Sequence, residues 1–318
     1  MTSAARTHRR GVALCLLSAV GFGLMAIFAK EAYRNDVPVL TLLALRFGLA
    51  ALAFWGIVAA RGPRIVLPSR RVVLTGLGLG AFGYTLQSAG YFGALTRMDA
   101  SLTALLLYTY PALVFAGALA LGRERADRRR VAALALATTG TGLVLAAGGG
   151  GGLDTIGVGL AIGAASVYAV YILVADRVVG RVDPFLLSAL VTTGAAVALW
   201  TVGLTTGSLH LGFPAAGWAW IAALALVSTV LPISAFLAGL PKVGPATASI
   251  ASTFEPVVTV AAAMLAFGEH LAPVQIAGGA LVLAAVALLQ AKVGASVPPA
   301  DAPVPASARS LAHQPSRG

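Results

Sequence analysis

A chain of 318 residues in which 58% are hydrophobic and only 10% are charged has too little polar surface to cover a water-soluble globule. The formal net charge of +11 comes from Lys and Arg residues that lie between apolar blocks rather than on one solvated face, which argues against a nucleic-acid-binding protein. The single cysteine, Cys15, excludes an intrachain disulfide and a metal cluster built on thiolates.

Ten apolar blocks follow one another along the chain, each close to the roughly 20 residues that an α-helix needs to cross a bilayer. The first five cover residues 11–31, 37–60, 71–94, 98–121 and 131–147. The second five cover residues 155–175, 184–204, 214–238, 244–267 and 272–292. The sequence therefore predicts an all-α integral membrane protein with ten transmembrane helices.

The remaining segments complete the expected organisation. Residues 1–10 form a basic N-terminal segment, and residues 148–154 form a glycine-rich connector between the halves 11–147 and 155–292. Residues 293–318 are rich in Pro, Ala and Ser, a composition typical of disordered tails.

The two halves resemble each other at a shift of about 145 residues. Pro111 and Pro256 are 145 residues apart, and so are Glu124 and Glu269. Self-similarity of this kind indicates a duplicated structural unit. Because each half contains five predicted spans, duplicated halves must cross the membrane in opposite directions, as inverted repeats.

The distribution of basic residues agrees with inverted halves. Arginines are concentrated in two loops of the first half: Arg61, Arg64, Arg70 and Arg71, then Arg123, Arg125, Arg128, Arg129 and Arg130. The corresponding loops of the second half, around His210 and His270, contain no Lys or Arg. Since basic loops stay in the cytoplasm, we predict a multi-pass plasma-membrane protein with both termini cytoplasmic.

Two ionisable residues lie near the centres of predicted spans. Arg46 is in the second span, and Glu255 is the only acidic residue well inside a span, the ninth. A charge at that depth costs about 2.5–3.5 kcal/mol or more unless it faces a partner or a wet cavity. We expect both side chains to face one polar cavity, where Arg46 binds an anionic group of a substrate and Glu255 pairs with it or handles a proton. An ion pair that only orients the helices is the alternative.

Pro111 and Pro256 occupy matching mid-span positions and predict two helix breaks. A proline cannot bond to the carbonyl four residues earlier, so the carbonyls of Leu107 and Ser252 leave the helical ladder. Paired interruptions in inverted halves commonly mark a binding site at the membrane midplane. A kink tolerated by packing is the alternative.

Polar aromatic residues recur in the third, fourth and sixth spans. Tyr84, Gln87 and Tyr91 are three and four residues apart, so they share one helix face. The further candidates for lining a cavity are Tyr108, Tyr110 and Tyr168. For any single tyrosine, a hydroxyl bonded to a neighbouring helix is the alternative.

Glu124 and Glu269 end matching spans, close to the membrane surface. Their equivalent positions suggest a gate or a loop anchor. An exposed or salt-bridged helix cap is the alternative.

Residues for membrane catalysis or ATP-driven pumping are missing. All four histidines lie in loops or tails, and Glu255 has no second carboxylate at its depth, so no intramembrane serine or aspartyl protease site can be assembled. The chain contains no Gly-Lys pair, which excludes a Walker A phosphate loop. We expect no enzymatic activity, no cofactor and no metal.

Over roughly residues 11–292 the chain resembles the EamA-like transporters of the drug/metabolite transporter superfamily. The resemblance rests on a pattern found once in each half: Tyr110, Pro111, Gly122 and Glu124, then Glu255, Pro256, Gly268 and Glu269. An arginine placed like Arg46 also resembles the family. Arg123, inserted between Gly122 and Glu124, departs from the Gly-Glu adjacency expected there.

The resemblance implies two inverted five-helix repeats around a central cavity. It implies export or exchange of small metabolites, such as amino acids or drug-like compounds, by alternating access without ATP hydrolysis. Expected partners are membrane lipid and a small-molecule substrate, not nucleic acid, with proton coupling as an option and a monomer or homodimer as the assembly. The alternatives are a membrane-embedded enzyme, which would need the missing catalytic residues, and a passive channel, whose flux would not saturate.

Overall fold

The computed structural model describes residues 3–62, 68–123, 128–146, 154–179 and 182–290. Helices are the only regular secondary structure in these ranges, which confirms the all-α prediction. Three sequence predictions fall outside the described residues: the glycine run 148–152, the tail 293–318 and Glu124.

The α-helices are numbered in chain order. In the first half they are α1 (Ser3–Gly23), α2 (Met25–Arg34), α3 (Val39–Arg61), α4 (Arg70–Gly78), α5 (Thr85–Leu95), α6 (Ala100–Leu107), α7 (Tyr110–Ala120) and α8 (Arg128–Ala146). In the second half they are α9 (Thr155–Val179), α10 (Pro184–Thr206), α11 (Ala215–Ala225), α12 (Leu231–Ser252), α13 (Phe254–Phe267) and α14 (Pro273–Gln290).

Seven helical stretches of the described residues are long and apolar enough to cross a membrane. They are Ala5–Arg34, Val39–Arg61, Ala100–Ala120, Thr155–Asp176, Pro184–Thr206, Ala215–Gly244 and Ile250–Phe267. Two shorter apolar helices are Val131–Leu145 and Pro273–Leu289. Lengths and compositions of this kind are those of a multi-pass membrane protein. The count of ten spans stays a prediction.

Helix breaks divide several predicted spans. Helix α6 ends and α7 begins just before Pro111, and α12 ends and α13 begins just before Pro256. The carbonyl of Ser252 accepts a hydrogen bond from the hydroxyl of Tyr108 at 3.0 Å, so a side chain satisfies a carbonyl that the proline cannot. Helix α12 also breaks at Gly244, whose φ of 76° is a left-handed conformation that favours glycine.

Two π-helical turns extend the helices at matching places of the two halves. They are Leu79–Tyr84, between α4 and α5, and Leu226–Val230, between α11 and α12. At each turn a threonine hydroxyl donates to the carbonyl five residues earlier, Thr85 at 3.0 Å and Thr229 at 2.9 Å. Turns of this type frequently occur at functional sites.

The core lies where the two halves meet. Helix α3 packs against α10, and α8 packs against α14. Helix α5 of the first half packs against α9, the first helix of the second half. The corresponding contacts with the halves exchanged are those of α11 with α2 and of α12 with α1. Phe47 and Phe92 from the first half and Leu199 and Ile221 from the second are buried in one cluster.

Helix α10 passes so close to the end of α4 and to the first π-helical turn that two glycines have no room for a side chain. A Cβ atom on Gly80 would overlap the carbonyl oxygen of Val191, and one on Gly194 would overlap the carbonyl oxygen of Leu77. Both obstacles are backbone atoms, so a side-chain rotation cannot relieve the overlap. Small residues of this kind let membrane helices approach closely.

Gly80→Ala is therefore expected to destabilise the fold by about 1–3 kcal/mol, the usual range for overpacking. Gly78→Ala is the matched control, because a Cβ there meets nothing within 4 Å. Thermal unfolding of both purified variants in detergent measures the difference. Equal midpoints for the two variants would show that the close approach of α10 does not limit stability.

Candidate functional site

A polar cavity of about 90 Å³ lies inside the helix bundle. Its lining comes from both halves: Phe22, Met25, Arg46, Tyr84, Gln87, Ser88, Tyr91, Phe92, Leu107, Tyr110, Tyr168 and Glu255. Seven of the eight residues that the sequence proposed for binding are among them. The volume is below the roughly 300–1,000 Å³ of typical small-molecule sites, so a metabolite needs the helices to move apart.

Arg46 is the dominant charge at this cavity. It is only 1% exposed, and its Nε donates a hydrogen bond of 2.9 Å to the hydroxyl of Thr229. The guanidinium carbon lies 4.9 Å from the ring centre of Phe47 and 5.0 Å from that of Phe92. The buried Nη1 has no hydrogen-bond partner among the described residues. A desolvated donor of this kind is suited to bind an anionic group.

Glu255 also lines the cavity, from the first turn of α13. The positive end of a helix dipole favours a negative charge at that position. None of the ion pairs between described residues joins Glu255 to Arg46. In this conformation Arg46 and Glu255 therefore line one cavity without an ion pair between them.

A chain of aromatic rings runs beside the cavity, and three of its members, Tyr84, Tyr110 and Tyr168, line it. The ring centres of Tyr110 and Tyr168 are 4.7 Å apart, those of Tyr168 and Tyr171 are 5.9 Å apart, and those of Tyr171 and Tyr84 are 5.7 Å apart. Tyr108 lies behind Tyr110 and does not line the cavity. Its hydroxyl donates a hydrogen bond of 3.0 Å to the backbone carbonyl of Ser252, the last residue of α12.

Five lining residues were not proposed from the sequence: Phe22, Met25, Ser88, Phe92 and Leu107. Phe22 had a usable signal, because it is 146 residues before Tyr168 in the repeat. Ser88 had a weaker signal, since it is a polar residue next to Gln87 in an apolar span. In the structure its hydroxyl donates to Oε1 of Gln87 at 3.2 Å. Met25, Phe92 and Leu107 are apolar residues in apolar spans, and nothing in the sequence separates them from the core.

A second polar cluster surrounds Glu269, just beyond the end of α13. Its Oε1 accepts hydrogen bonds from the backbone N–H of Ala100 at 2.8 Å and from Nζ of Lys30 at 3.3 Å. Its Oε2 accepts from the backbone N–H of Ser101 at 3.0 Å and from the Ser101 hydroxyl at 2.8 Å. The carboxylate thus caps α6 and ties together α2, α6 and the loop after α13.

The electrostatics of this cluster favour an ionised carboxylate. Burial raises the pKa of Glu269, but the hydrogen bonds from Ser101 and Ala100 and the charge of Lys30 outweigh that effect. The pKa of Glu269 therefore lies below its ordinary value. A group whose pKa is lowered by folding stabilises the folded state above its unfolded pKa, and that stabilisation is lost as the pH falls through the folded pKa.

Glu269→Ala is expected to lower the free energy of unfolding by about 2–3 kcal/mol at neutral pH, because several hydrogen bonds to a charged group are lost together. The difference from the wild type should shrink as the pH falls below about 4.3, the ordinary carboxyl value. Thermal unfolding at several pH values measures this. Glu31→Ala is the control, since the side chain of Glu31 pairs with the exposed Arg34 at the surface. A Glu269→Ala deficit that does not change with pH would contradict an ionised anchor.

Comparison with known sequences adds the family context. The profile of a family described as the EamA-like transporter family matches this chain twice, over residues 9–146 and 155–290. A protein of Archaeoglobus fulgidus named as an uncharacterized transporter is 29% identical over 286 residues, which cover 88% of this chain and 96% of that protein. The uncharacterized transporter YcbK of Bacillus subtilis is 26% identical over 86% of this chain and 90% of its own.

A third relative has a name that states its substrates. The threonine/homoserine exporter RhtA of Escherichia coli is 30% identical over 138 residues, which cover 42% of this chain and 45% of that protein. Among solved structures, one crystal structure aligns with 89% of this chain and 98% of its own at a TM-score of 0.62 and 19% identity. That likeness shows a common fold.

Proposed function

This chain belongs to the EamA-like transporter family, and we propose that it is a secondary transporter that exports or exchanges small, amino-acid-like metabolites by alternating access. One observation carries the proposal: a buried arginine and a carboxylate share an internal polar cavity without pairing with each other. The names of the full-length relatives, which are those of transporters, support it.

We propose the ten-span, inverted-repeat architecture as its frame, with halves at residues 11–147 and 155–292 and both termini in the cytoplasm. The family profile matches once in each half, which supports duplicated units. The two π-helical turns at matching places support the same frame. Helix pairs that recur when the halves are exchanged, such as α5 with α9 and α11 with α2, are a third support.

The charges of the cavity favour a zwitterionic substrate. Arg46 offers an unpartnered, buried N–H donor that suits a carboxylate. Glu255 supplies a negative group that suits an ammonium group or a transported proton. Gln87 and Ser88 add neutral donors and acceptors for a polar side chain. The similarity to a threonine/homoserine exporter supports small hydroxy amino acids as the first compounds to test.

The proposed transport cycle needs the cavity to open toward each side of the membrane in turn. In this conformation the cavity, with a volume of about 90 Å³, is too small for a metabolite. The hydrogen bonds of Glu269 hold the start of α6 against the loop after α13, which supports a role in closing that end of the bundle. Release of this contact is our proposed opening step on that side, with Glu269 as a gate or loop anchor.

Uptake of radiolabelled L-threonine into proteoliposomes tests the function. We expect uptake that saturates, that unlabelled L-homoserine competes with, and that exceeds uptake by protein-free liposomes. Threoninol, which lacks the carboxylate, and N-acetylthreonine, which lacks the ammonium charge, should compete poorly because each leaves one cavity charge unpaired. Equal competition by threoninol would contradict the role of Arg46, and flux that does not saturate would indicate a channel.

A further inference from the structure

Arg46 is held by a residue that is 183 positions away in sequence, on the second π-helical turn. Thr229 is fully buried, and its hydroxyl takes part in two hydrogen bonds. It donates to the carbonyl of Leu224 at 2.9 Å and accepts from Nε of Arg46 at 2.9 Å.

The direction of these bonds is fixed by chemistry. A hydroxyl has one proton and two lone pairs. Because the carbonyl of Leu224 can only accept, the proton of Thr229 points to it, and only a lone pair is left for Nε of Arg46. The carbonyl five residues earlier comes within reach because the helix makes a π turn at Leu226–Val230. The π turn therefore presents Thr229 to Arg46 as an acceptor.

A neutral acceptor has an advantage over a carboxylate at this place. It satisfies Nε without cancelling the positive charge, so the charge stays available at the two terminal nitrogens. The rings of Phe47 and Phe92 lie beside the guanidinium, and the Nε bond fixes its rotation. The unpartnered Nη1 is at the terminal end of this fixed plane, on a side chain that lines the cavity.

We propose that Thr229 is a positioning residue that orients the guanidinium of Arg46 toward the substrate carboxylate. The proposal rests on the proposed function and deepens it, because it assigns substrate affinity in part to the second π-helical turn. It also links the two halves, since Arg46 belongs to α3 and Thr229 to the turn between α11 and α12. A movement of that turn during transport would rotate Arg46 and change its affinity for the carboxylate.

Three variants test the proposal by their KM for L-threonine. Thr229→Val removes the hydroxyl at nearly constant volume and should raise KM about tenfold, with the maximal rate changed less than about twofold, since one hydrogen bond to a charged group orients the binding donor. Thr229→Ser keeps the hydroxyl and should restore a near-wild-type KM. Thr85→Val is the matched control, because the hydroxyl of Thr85 makes the same bond at the first π turn.

The outcomes separate positioning from a structural role. An unchanged KM in Thr229→Val overturns the proposal. So does a Thr229→Ser variant as impaired as Thr229→Val, since the methyl group rather than the hydroxyl would then matter. If Thr85→Val raises KM as much, the integrity of the π turns is the cause and the contact with Arg46 is not.

A second measurement keeps the test independent of the substrate. Thermal unfolding of the wild type, Arg46→Met, Thr229→Val and the double variant forms a double-mutant cycle. We expect the double variant to be less destabilised than the sum of the single variants. Additive effects overturn the proposal. If L-threonine is not transported but the cycle shows coupling, the proposed substrate fails while the orienting contact stands. Thr229→Ala replaces Thr229→Val in the cycle if valine prevents folding.

Discussion

Arg46→Ala is expected to lower the transport efficiency, kcat/KM, for L-threonine about 10- to 100-fold. The physical reason is that a buried hydrogen bond to a charged group contributes about 1.5–3 kcal/mol, and about 1.4 kcal/mol corresponds to a factor of ten. Arg46 is the cavity's buried cationic group, and its Nη1 has no partner among the described residues. Initial uptake rates at several substrate concentrations measure the change.

Two further variants make the Arg46 result specific. Arg46→Lys keeps the charge but loses the planar fork, so it should recover only part of the efficiency. Arg61→Ala, at the exposed end of the same helix, removes a surface ion pair with Asp183 and should transport almost normally. Normal transport by folded Arg46→Ala protein would contradict a substrate-binding role. A low folded yield of Arg46→Ala together with full activity of Arg46→Lys would instead show that any positive charge is sufficient.

Glu255→Gln is expected to insert and fold normally, to keep substrate exchange and to lose uptake driven by a pH gradient. Glutamine has nearly the shape of glutamate but cannot carry a proton across the membrane or hold a negative charge. No ion pair joins Arg46 to Glu255 in this conformation. The substitution therefore does not deprive the buried Arg46 of a partner, so normal folding is expected. Exchange and gradient-driven uptake are measured on the same proteoliposomes.

The comparison variant is Glu31→Gln, which removes an acidic group that pairs with the exposed Arg34 outside the cavity. It should keep both activities. Wild-type dependence on the pH gradient in Glu255→Gln would exclude Glu255 as the proton carrier. Loss of exchange as well as gradient-driven uptake would assign Glu255 to the ammonium group of the substrate.

The helical class and the family were predictable because their signals are local. Runs of apolar residues predict membrane helices wherever they fold, and the Tyr110-Pro111 and Glu255-Pro256 pairs are short motifs. Depth in the membrane also singled out Arg46 and Glu255, because a charge there is costly unless it faces a polar site. The structure places both at one cavity.

Contacts between distant segments were not predictable in the same way. Thr229 looks like any threonine in an apolar helix until the fold places its hydroxyl beside Arg46. Helical spacing also assumes a regular α-helix, so it does not predict a π turn such as Leu79–Tyr84. Nor does it predict the break between α6 and α7, where Tyr108 follows the last residue of α6, Tyr110 begins α7, and Tyr110 but not Tyr108 lines the cavity.

The most direct test of the central claim, alternating access to this cavity, is the labelling of a single cysteine at its wall. Ser88→Cys in a Cys15→Ala background places one small thiol there, because Ser88 lines the cavity and Cys15, the chain's one native cysteine, is buried elsewhere. A membrane-impermeant thiol reagent is applied to either face of sealed vesicles. The account predicts labelling from both faces, slowed in each case by L-threonine. Labelling from one face only, whatever the substrate conditions, would contradict it.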